Sequence, residues 1–191
     1  MESVLSFFEF VLVIASVIYA LAIAQLLSGA SRVSQSDLEQ RFYLPHAAWI
    51  AILFLGPLIT WWSLWALRDI EWTFAAFFLI IMQPVVVYYA CSLIAPAVLP
   101  NSVRTLEEHF SRIRRPLMVT QFIGLALTST DGVILLGESF WHPGRYFHLV
   151  VVSALLFGFL VDGRKSRAAV ALLVLSAMVL LIVVRFWTPA G

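Results

Sequence analysis

Six long apolar runs divide this chain and constrain its fold more than any other feature. They cover approximately residues 4–30, 46–67, 73–99, 117–137, 146–162 and 167–187. A helix needs about 20 apolar residues to cross a bilayer, and only the run at 146–162 falls short, so we interpret it as a short span. Because lipid offers backbone groups no water, the spans must be helices. The sequence predicts an all-α, polytopic transmembrane bundle of about six helices, forming one domain over 1–191.

The composition supports lipid as the solvent of this fold. The chain is 62% hydrophobic and 12% charged, with a mean hydropathy of +0.96, whereas soluble domains are about 25% charged. The thinly scattered basic residues argue against nucleic-acid binding. The single Cys91 excludes an internal disulfide and a cysteine metal cluster, and we interpret it as a small buried hydrophobic residue.

The basic residues predict how the bundle is oriented. Of the 12 basic residues, nine fall at one end of the predicted bundle and three at the other. The nine are Arg32, Arg41, Arg104, Arg112, Arg114, Arg115, Arg164, Lys165 and Arg167; the three are Arg68, Arg145 and Arg185. The positive-inside rule places the nine in the cytoplasm. Both termini then lie on the periplasmic or outer side of a cell inner membrane, and the first run, preceded by Glu2 and no basic residue, is a retained helix rather than a signal peptide.

The segment 102–115 has the pattern of an amphipathic helix. Thr105 and Glu108 have the spacing of a capping box. Apolar residues then recur every three or four positions, with arginine and glutamate between them. We predict a short helix that lies on the inner leaflet, before a span that begins near residue 117.

Polar residues near the outer surface form a second group. Glu9 and Asp131 are ionisable residues inside the apolar runs, where they are costly and usually face protein or water. Arg68 and Asp69 lie at the same level. We predict an outer polar cluster of these residues, which is either a structural clamp between helices or the floor of an outward-facing vestibule.

Aromatic residues gather at the same level of the predicted bundle. They are Trp61, Trp62, Trp65 and Trp72. Tryptophan is enriched where a membrane meets water. We predict an aromatic belt, and its large apolar rings are also suited to cover a ligand pocket.

Two prolines fall near the middle of their spans. Pro57 and Pro84 each remove a backbone hydrogen bond, and broken helices at mid-depth are typical of transport sites. Further polar residues at this depth are candidates to line such a site. They are Tyr19, Gln83, Tyr88 and Thr128.

Other chemistry has little support in the sequence. His142 and His148 with Asp131 and Glu138 match no zinc-ligand spacing, and His46 and His148 fall at opposite ends of the bundle, which is poor geometry for a haem. No hydrolase, metalloprotease or phosphate-loop motif is present. We therefore predict no catalytic residues, no metal and no cofactor.

Three segments resemble a known group of proteins. They are FFEF at 7–10, ALAIAQLLSG at 20–29 and WWSLWALRD at 61–69. Together they resemble a family of small, six-helix bacterial inner-membrane proteins. The resemblance implies the six-helix membrane fold and carries no activity with it.

Three functions fit these observations. The first is a channel or transporter for an ion or small solute, acting as a homo-oligomer because six short helices enclose little. The second is a sensor or binding module for a lipid or a quinone-like molecule. The third is an accessory subunit of a larger membrane complex. The midplane prolines and the outer polar cluster favour the first.

Overall fold

The computed structural model describes residues 6–36, 42–96, 103–139 and 145–184. Within those ranges the fold is the predicted all-α bundle of six helices. The helices are α1 (Phe7–Gln35), α2 (Leu44–Ser63), α3 (Phe74–Ile94), α4 (Leu106–Ile134), α5 (Arg145–Leu160) and α6 (Arg164–Ile182). Five of these segments are long and apolar enough to cross a membrane, with α2 extended to Leu67 by a short 3-10 helix. The 16-residue α5 is apolar but shorter.

Successive helices run in opposite directions, which gives the bundle two distinct ends. The tryptophan end contains the start of α1, where Phe8 contacts the rings of Trp65 and Trp72. The arginine end contains the end of α1, where Arg32 donates to the Pro96 carbonyl. Eight of the ten basic residues in the described part of the chain lie at the arginine end, and only Arg68 and Arg145 lie at the other.

The predicted separation of an interfacial helix from the fourth span is wrong. Thr105 caps the helix as expected, accepting a hydrogen bond from the Glu108 backbone N–H at 3.1 Å. The helix then continues through Pro116 to Ile134 as one 29-residue element. The reason is that the buried face does not change register at the proline. Buried residues recur every three or four positions on both sides of it; they are Leu106, His109, Phe110, Arg114, Leu117 and Met118.

Tight packing closes the arginine half of the bundle. The larger of two apolar clusters fills it and includes Leu26, Ile94, Phe110 and Leu117, none more than 1% exposed. Gln25 donates to the Ala95 carbonyl at 2.8 Å, which ties α1 to the end of α3.

The end of α5 is held by a buried guanidinium from α4. Arg114 donates to the carbonyls of Gly158, Phe159 and Val161, and lies 3.6 Å from the Asp162 carboxylate. These carbonyls have no partner within their own helix. The carbonyls at the end of α5 are therefore engaged by Arg114, whereas the tryptophan half contains open space.

Candidate ligand-binding cavity

A cavity with two joined chambers lies between the helices and extends toward the tryptophan end. The inner chamber, about 180 Å³, reaches from Thr60 down to Trp49 along α2. The outer chamber, about 530 Å³, reaches from Thr60 up to Leu67. Six residues line both chambers: Thr60, Gln83, Thr128, Phe147, His148 and Leu181. Eighteen residues separate Trp49 from Leu67, which is roughly 27 Å of helix beside a hydrocarbon core of about 30 Å.

One face of α4 forms a polar wall along the cavity. Gln121, Gly124 and Thr128 line the inner chamber, and Asp131 and Gly132 line the outer chamber. Their spacing of three or four residues keeps them on one side of the helix. The residues are small or polar, so this face supplies hydrogen-bonding groups without filling the space.

Four buried polar atoms on the cavity wall have no hydrogen-bond partner in the described ranges. They are Tyr19 Oη, Trp49 Nε1, Gln83 Oε1 and Asp131 Oδ1. All four side chains are at least nine-tenths buried, with 3%, 0%, 5% and 7% exposed in that order. Buried polar groups are normally hydrogen-bonded, because leaving one without a partner costs about 1–3 kcal/mol. Four such atoms around one cavity make it the candidate site for a polar ligand or water.

The outer chamber carries the charges of the site. Arg145 at the start of α5 lies 3.8 Å from the Glu138 carboxylate, and its side chain is only 11% exposed. Asp131 lines the same chamber but makes no ion pair among the residues described. The described lining of the chamber therefore includes two carboxylates and one guanidinium.

The chain reversal after α4 places Glu138 in the chamber. Gly137 has φ +63, a left-handed conformation that glycine adopts readily, and Glu138 N–H donates to the Gly132 carbonyl at 2.9 Å. A Cβ at Gly132 would lie 2.7 Å from Glu138 Oε2 and 3.2 Å from Arg145 Nη2. Gly132 thus leaves room for the Glu138–Arg145 pair against α4, one residue beyond Asp131.

Two hydroxyl groups on the shared wall present acceptors to the cavity. Thr60 donates to the Gly56 carbonyl at 3.0 Å and Thr128 donates to the Gly124 carbonyl at 3.1 Å. Each hydroxyl has one proton, so its oxygen remains available to accept. His148 is held by a 3.0 Å hydrogen bond between Nδ1 and Ser129 Oγ.

The predicted outer polar cluster is not formed. Glu9 is exposed and caps its own helix, accepting from the Ser6 backbone N–H at 2.7 Å. Arg68 and Asp69 pair with each other at 2.9 Å on the surface, with 54% and 82% of their side chains exposed. Only Asp131 lines the cavity. Glu9 begins a helix that needs capping, and Arg68 has its nearest carboxylate in the next residue, so local partners engage both.

The predicted midplane group divides between the cavity and the outer surface. Tyr19, Pro57, Gln83 and Thr128 all line the inner chamber. Pro84 is buried within α3. Tyr88, however, is 42% exposed and lines neither chamber, because five residues of α-helix turn it well away from Gln83.

The four tryptophans of the predicted aromatic belt lie at or near the outside of the bundle. Trp61, Trp62 and Trp65 are exposed and Trp72 is half-buried. None of them lines either chamber, so they do not roof this cavity. Trp61 Nε1 donates to Ser16 Oγ at 2.7 Å, which joins α2 to α1. An exposed ring with a bonded polar edge suits a membrane interface.

Sequence reasoning missed Trp49, Gly132 and Arg145 as cavity residues and considered Glu138 only as a metal ligand. The arrangement of polar and small residues along α4, at 121, 124, 128 and 131, was a signal for this wall. His142 lies outside the described residues. Among the described residues no group of three His, Cys, Asp or Glu side chains is placed to hold a metal ion.

Comparisons of the chain with protein-family models, curated proteins and solved structures gave no match. A functional assignment therefore depends on the geometry of the cavity.

Proposed function

We propose that the chain is a multi-pass membrane transport protein that carries a small solute through this cavity. The observation that supports the proposal is a pair of adjoining chambers that share six lining residues, extend below the level of Pro57 and are lined by four buried polar atoms with no hydrogen bond among the described residues. A site for a solute inside a bilayer needs polar groups that protein neighbours do not already engage.

The charge distribution orients the proposed transporter. Eight basic residues of the described chain lie at the arginine end. We assign that end to the cytoplasm of a cell inner membrane, by the positive-inside rule. The cavity then opens outward, with both termini on the outer side.

The floor of the cavity divides the solute pathway. Trp49 lines the inner chamber and is fully buried, and the packed residues Leu26, Phe110 and Leu117 lie toward the arginine end. A solute therefore reaches the cytoplasm only if these residues separate. Pro57 and Pro84 lie inside α2 and α3 beside the cavity, where a missing backbone hydrogen bond lets a helix bend.

A second candidate function is a binding or sensor module. The closed floor at Trp49 favours it, because a blind pocket binds a ligand without passing it on. The two functions predict different access from the arginine end.

Labelling of single cysteines from each side of the membrane tests the proposal. The background is Cys91→Ala, which replaces a fully buried cysteine in the core. Thr128→Cys probes the wall shared by the two chambers, and Leu53→Cys probes the inner chamber. Tyr88→Cys is the matched control, since it is exposed on the bundle surface but lines neither chamber. The probe is a charged, membrane-impermeant maleimide, applied to right-side-out or inside-out vesicles.

Transport predicts that Thr128→Cys reacts from the tryptophan end and that Leu53→Cys reacts from both ends, while Tyr88→Cys stays unlabelled in lipid. Labelling of Leu53→Cys from the tryptophan end alone would favour the binding module. If neither cavity cysteine reacts from either side, the cavity is not an aqueous route and the proposal fails.

A further inference from the structure

We infer that the cavity takes a small organic cation with N–H donors, of the protonated alkylamine class, with Asp131 as its counter-charge. This inference rests on the proposed function in using the same cavity, and it names the class of solute. It follows from three properties of the cavity: the kind of hydrogen-bonding groups, the position of the charges and the apolar lining.

The hydrogen-bonding groups around the junction of the chambers are mostly acceptors. Asp131 Oδ1 is a buried acceptor without a partner in the described chain. The Thr60 and Thr128 hydroxyls have already donated their protons to backbone carbonyls. Gln83 and Tyr19 supply an amide and a phenol at the same level. A ligand that satisfies this set must bring several donors, and an ammonium group brings up to three.

The charges place the cation beside Asp131. Arg145 is the one guanidinium or ammonium group among the described residues that line the chambers, and Glu138 lies 3.8 Å from it. Asp131 is 7% exposed and has no arginine or lysine within ion-pair distance among the residues that the structure describes. A buried carboxylate is costly without an opposite charge, so a cationic ligand at Asp131 is favoured over an anionic one.

The end of α4 adds to this preference. Asp131 and Gly132 lie in the last turn of the helix, which ends at Ile134. The carbonyl end of a helix carries partial negative charge and favours cations within about one turn.

The inner chamber suits an apolar body attached to the ammonium group. Its remaining walls are largely aliphatic and include Leu53, Leu125, Val151, Leu155 and Met178. A ligand with its head at Asp131 can therefore extend an alkyl chain along these aliphatic walls. Burying one CH₂ group strengthens binding by about fourfold, so affinity should rise with chain length until the chamber is filled.

Binding to the full-length protein in lipid nanodiscs tests this inference without a transport assay. The probes are ethylammonium and butylammonium chloride, with sodium butyrate, butanol and sodium chloride as matched controls. Dissociation constants come from calorimetry, and the shift of the unfolding temperature gives a second readout. We expect butylammonium to bind on the order of tenfold more tightly than ethylammonium, and butyrate and butanol not to bind measurably.

Two variants assign the binding to the proposed position. Asp131→Asn should abolish measurable butylammonium binding, whereas Asp69→Asn, which changes an exposed carboxylate, should leave it unchanged. The comparison of butylammonium with butyrate on the unsubstituted protein needs no variant, so it stands even if Asp131→Asn does not fold. Equal binding of butyrate or butanol, absence of butylammonium binding, or unchanged binding in a folded Asp131→Asn protein would each overturn the inference.

The inference and the proposed function fail in different ways. Butylammonium binding together with labelling from one side only would retain the ligand class and exclude transport. Labelling of Leu53→Cys from both sides without selectivity for ammonium ions would retain transport and exclude the ligand class.

Discussion

Gly29 of α1 lies directly against the backbone of Ala95, at the end of α3. A Cβ at Gly29 would be 2.7 Å from the Ala95 carbonyl oxygen and 2.8 Å from its Cα, closer than any ordinary contact. The same carbonyl accepts a 2.8 Å hydrogen bond from Gln25 Nε2. Close approach of two helices through a small residue is a general way of joining membrane helices, so this contact fixes the distance between α1 and α3.

Gly29→Ala should therefore separate α1 from α3 at the arginine end. Because the Ala95 carbonyl oxygen and Cα obstruct the new Cβ as well as the Ala95 methyl group, we expect a loss of about 1–3 kcal/mol in the free energy of unfolding, measured by denaturant titration in detergent. Gly124→Ala is the matched control, since its new Cβ would meet Val86 Cγ1 at an ordinary 3.6 Å. Equal stability of the two variants would show that the α1–α3 contact is not close-packed in the protein.

A companion substitution separates backbone from side-chain contact. Ala95→Gly removes the Ala95 methyl group but leaves its carbonyl oxygen and Cα in place. It should therefore fail to rescue Gly29→Ala. If Ala95→Gly fully restored the stability lost in Gly29→Ala, the loss would come from contact with the Ala95 methyl group alone.

Buried Arg114 should contribute far more to stability than its neighbour Arg112. Arg114→Ala leaves the carbonyls at the end of α5 without their donor, and a buried acceptor without a partner costs about 1–3 kcal/mol. Arg112→Ala removes an exposed pair with Glu108, and an i,i+4 pair of this kind is worth about 0.3–0.5 kcal/mol. Thermal unfolding of the two variants side by side measures the difference, and a larger loss for Arg112→Ala would contradict this role of Arg114.

The sequence predicted the helices well because their signals are local. Apolar length determines whether a helix can span lipid, and Thr105 with Glu108 marked a helix start that the structure confirms. The same local reading placed a boundary near Pro116 that does not exist, because continued burial on both sides of the proline outweighs its missing N–H.

The residues that line the cavity were only partly predictable. The position of a residue along its helix predicts its depth in the membrane, but it does not show toward which side of the helix the side chain points. Gln83 and Tyr88 were both expected to line the site, yet Gln83 lines it and Tyr88 lies on the bundle surface. In a membrane helix both faces are apolar, so hydropathy does not show which face is buried. Arg145 and Glu138 were missed as partners because only the chain reversal at Gly137 brings them together over Gly132.

The ion pair between Arg167 and Asp162, in the connection between α5 and α6, should make the protein less stable as the pH falls into the acid range. A hydrogen bond from Arg167 Nε, 2.9 Å long, lowers the pKa of the Asp162 carboxyl below its usual value. A lowered folded-state pKa contributes stability above the unfolded value of about 3.9, and that contribution is lost as the pH falls through the folded pKa.

Asp162→Asn should accordingly lower the unfolding temperature near pH 7 and have a diminishing effect below about pH 4. The carboxylate is 48% exposed, so we expect an effect of no more than about 1 kcal/mol. Unfolding temperatures of both proteins, measured from pH 7 downward, test this. A difference that persists undiminished in strong acid would contradict the charge-based explanation.

Tyr19→Phe separates the ligand-binding role of the cavity from its structural role. The Tyr19 hydroxyl is buried and makes no hydrogen bond of standard geometry in the part of the chain that the structure describes; its one side-chain hydrogen-bonding neighbour there is Thr60, so its removal costs little protein hydrogen bonding. We expect unfolding stability equal to or above that of the unsubstituted protein, since a buried polar group without a partner is itself unfavourable. Butylammonium affinity should nevertheless fall severalfold, because the hydroxyl lines the chamber proposed to hold the ligand.

Trp61→Phe provides the contrast, because it removes a donor that is bonded to Ser16 at 2.7 Å and lies outside both chambers. It should lower stability by about 0.5–1.5 kcal/mol and leave butylammonium affinity unchanged. The two substitutions thus predict opposite patterns in the same two measurements. A destabilised Tyr19→Phe protein with normal affinity would show that this hydroxyl stabilises the bundle rather than binding a ligand.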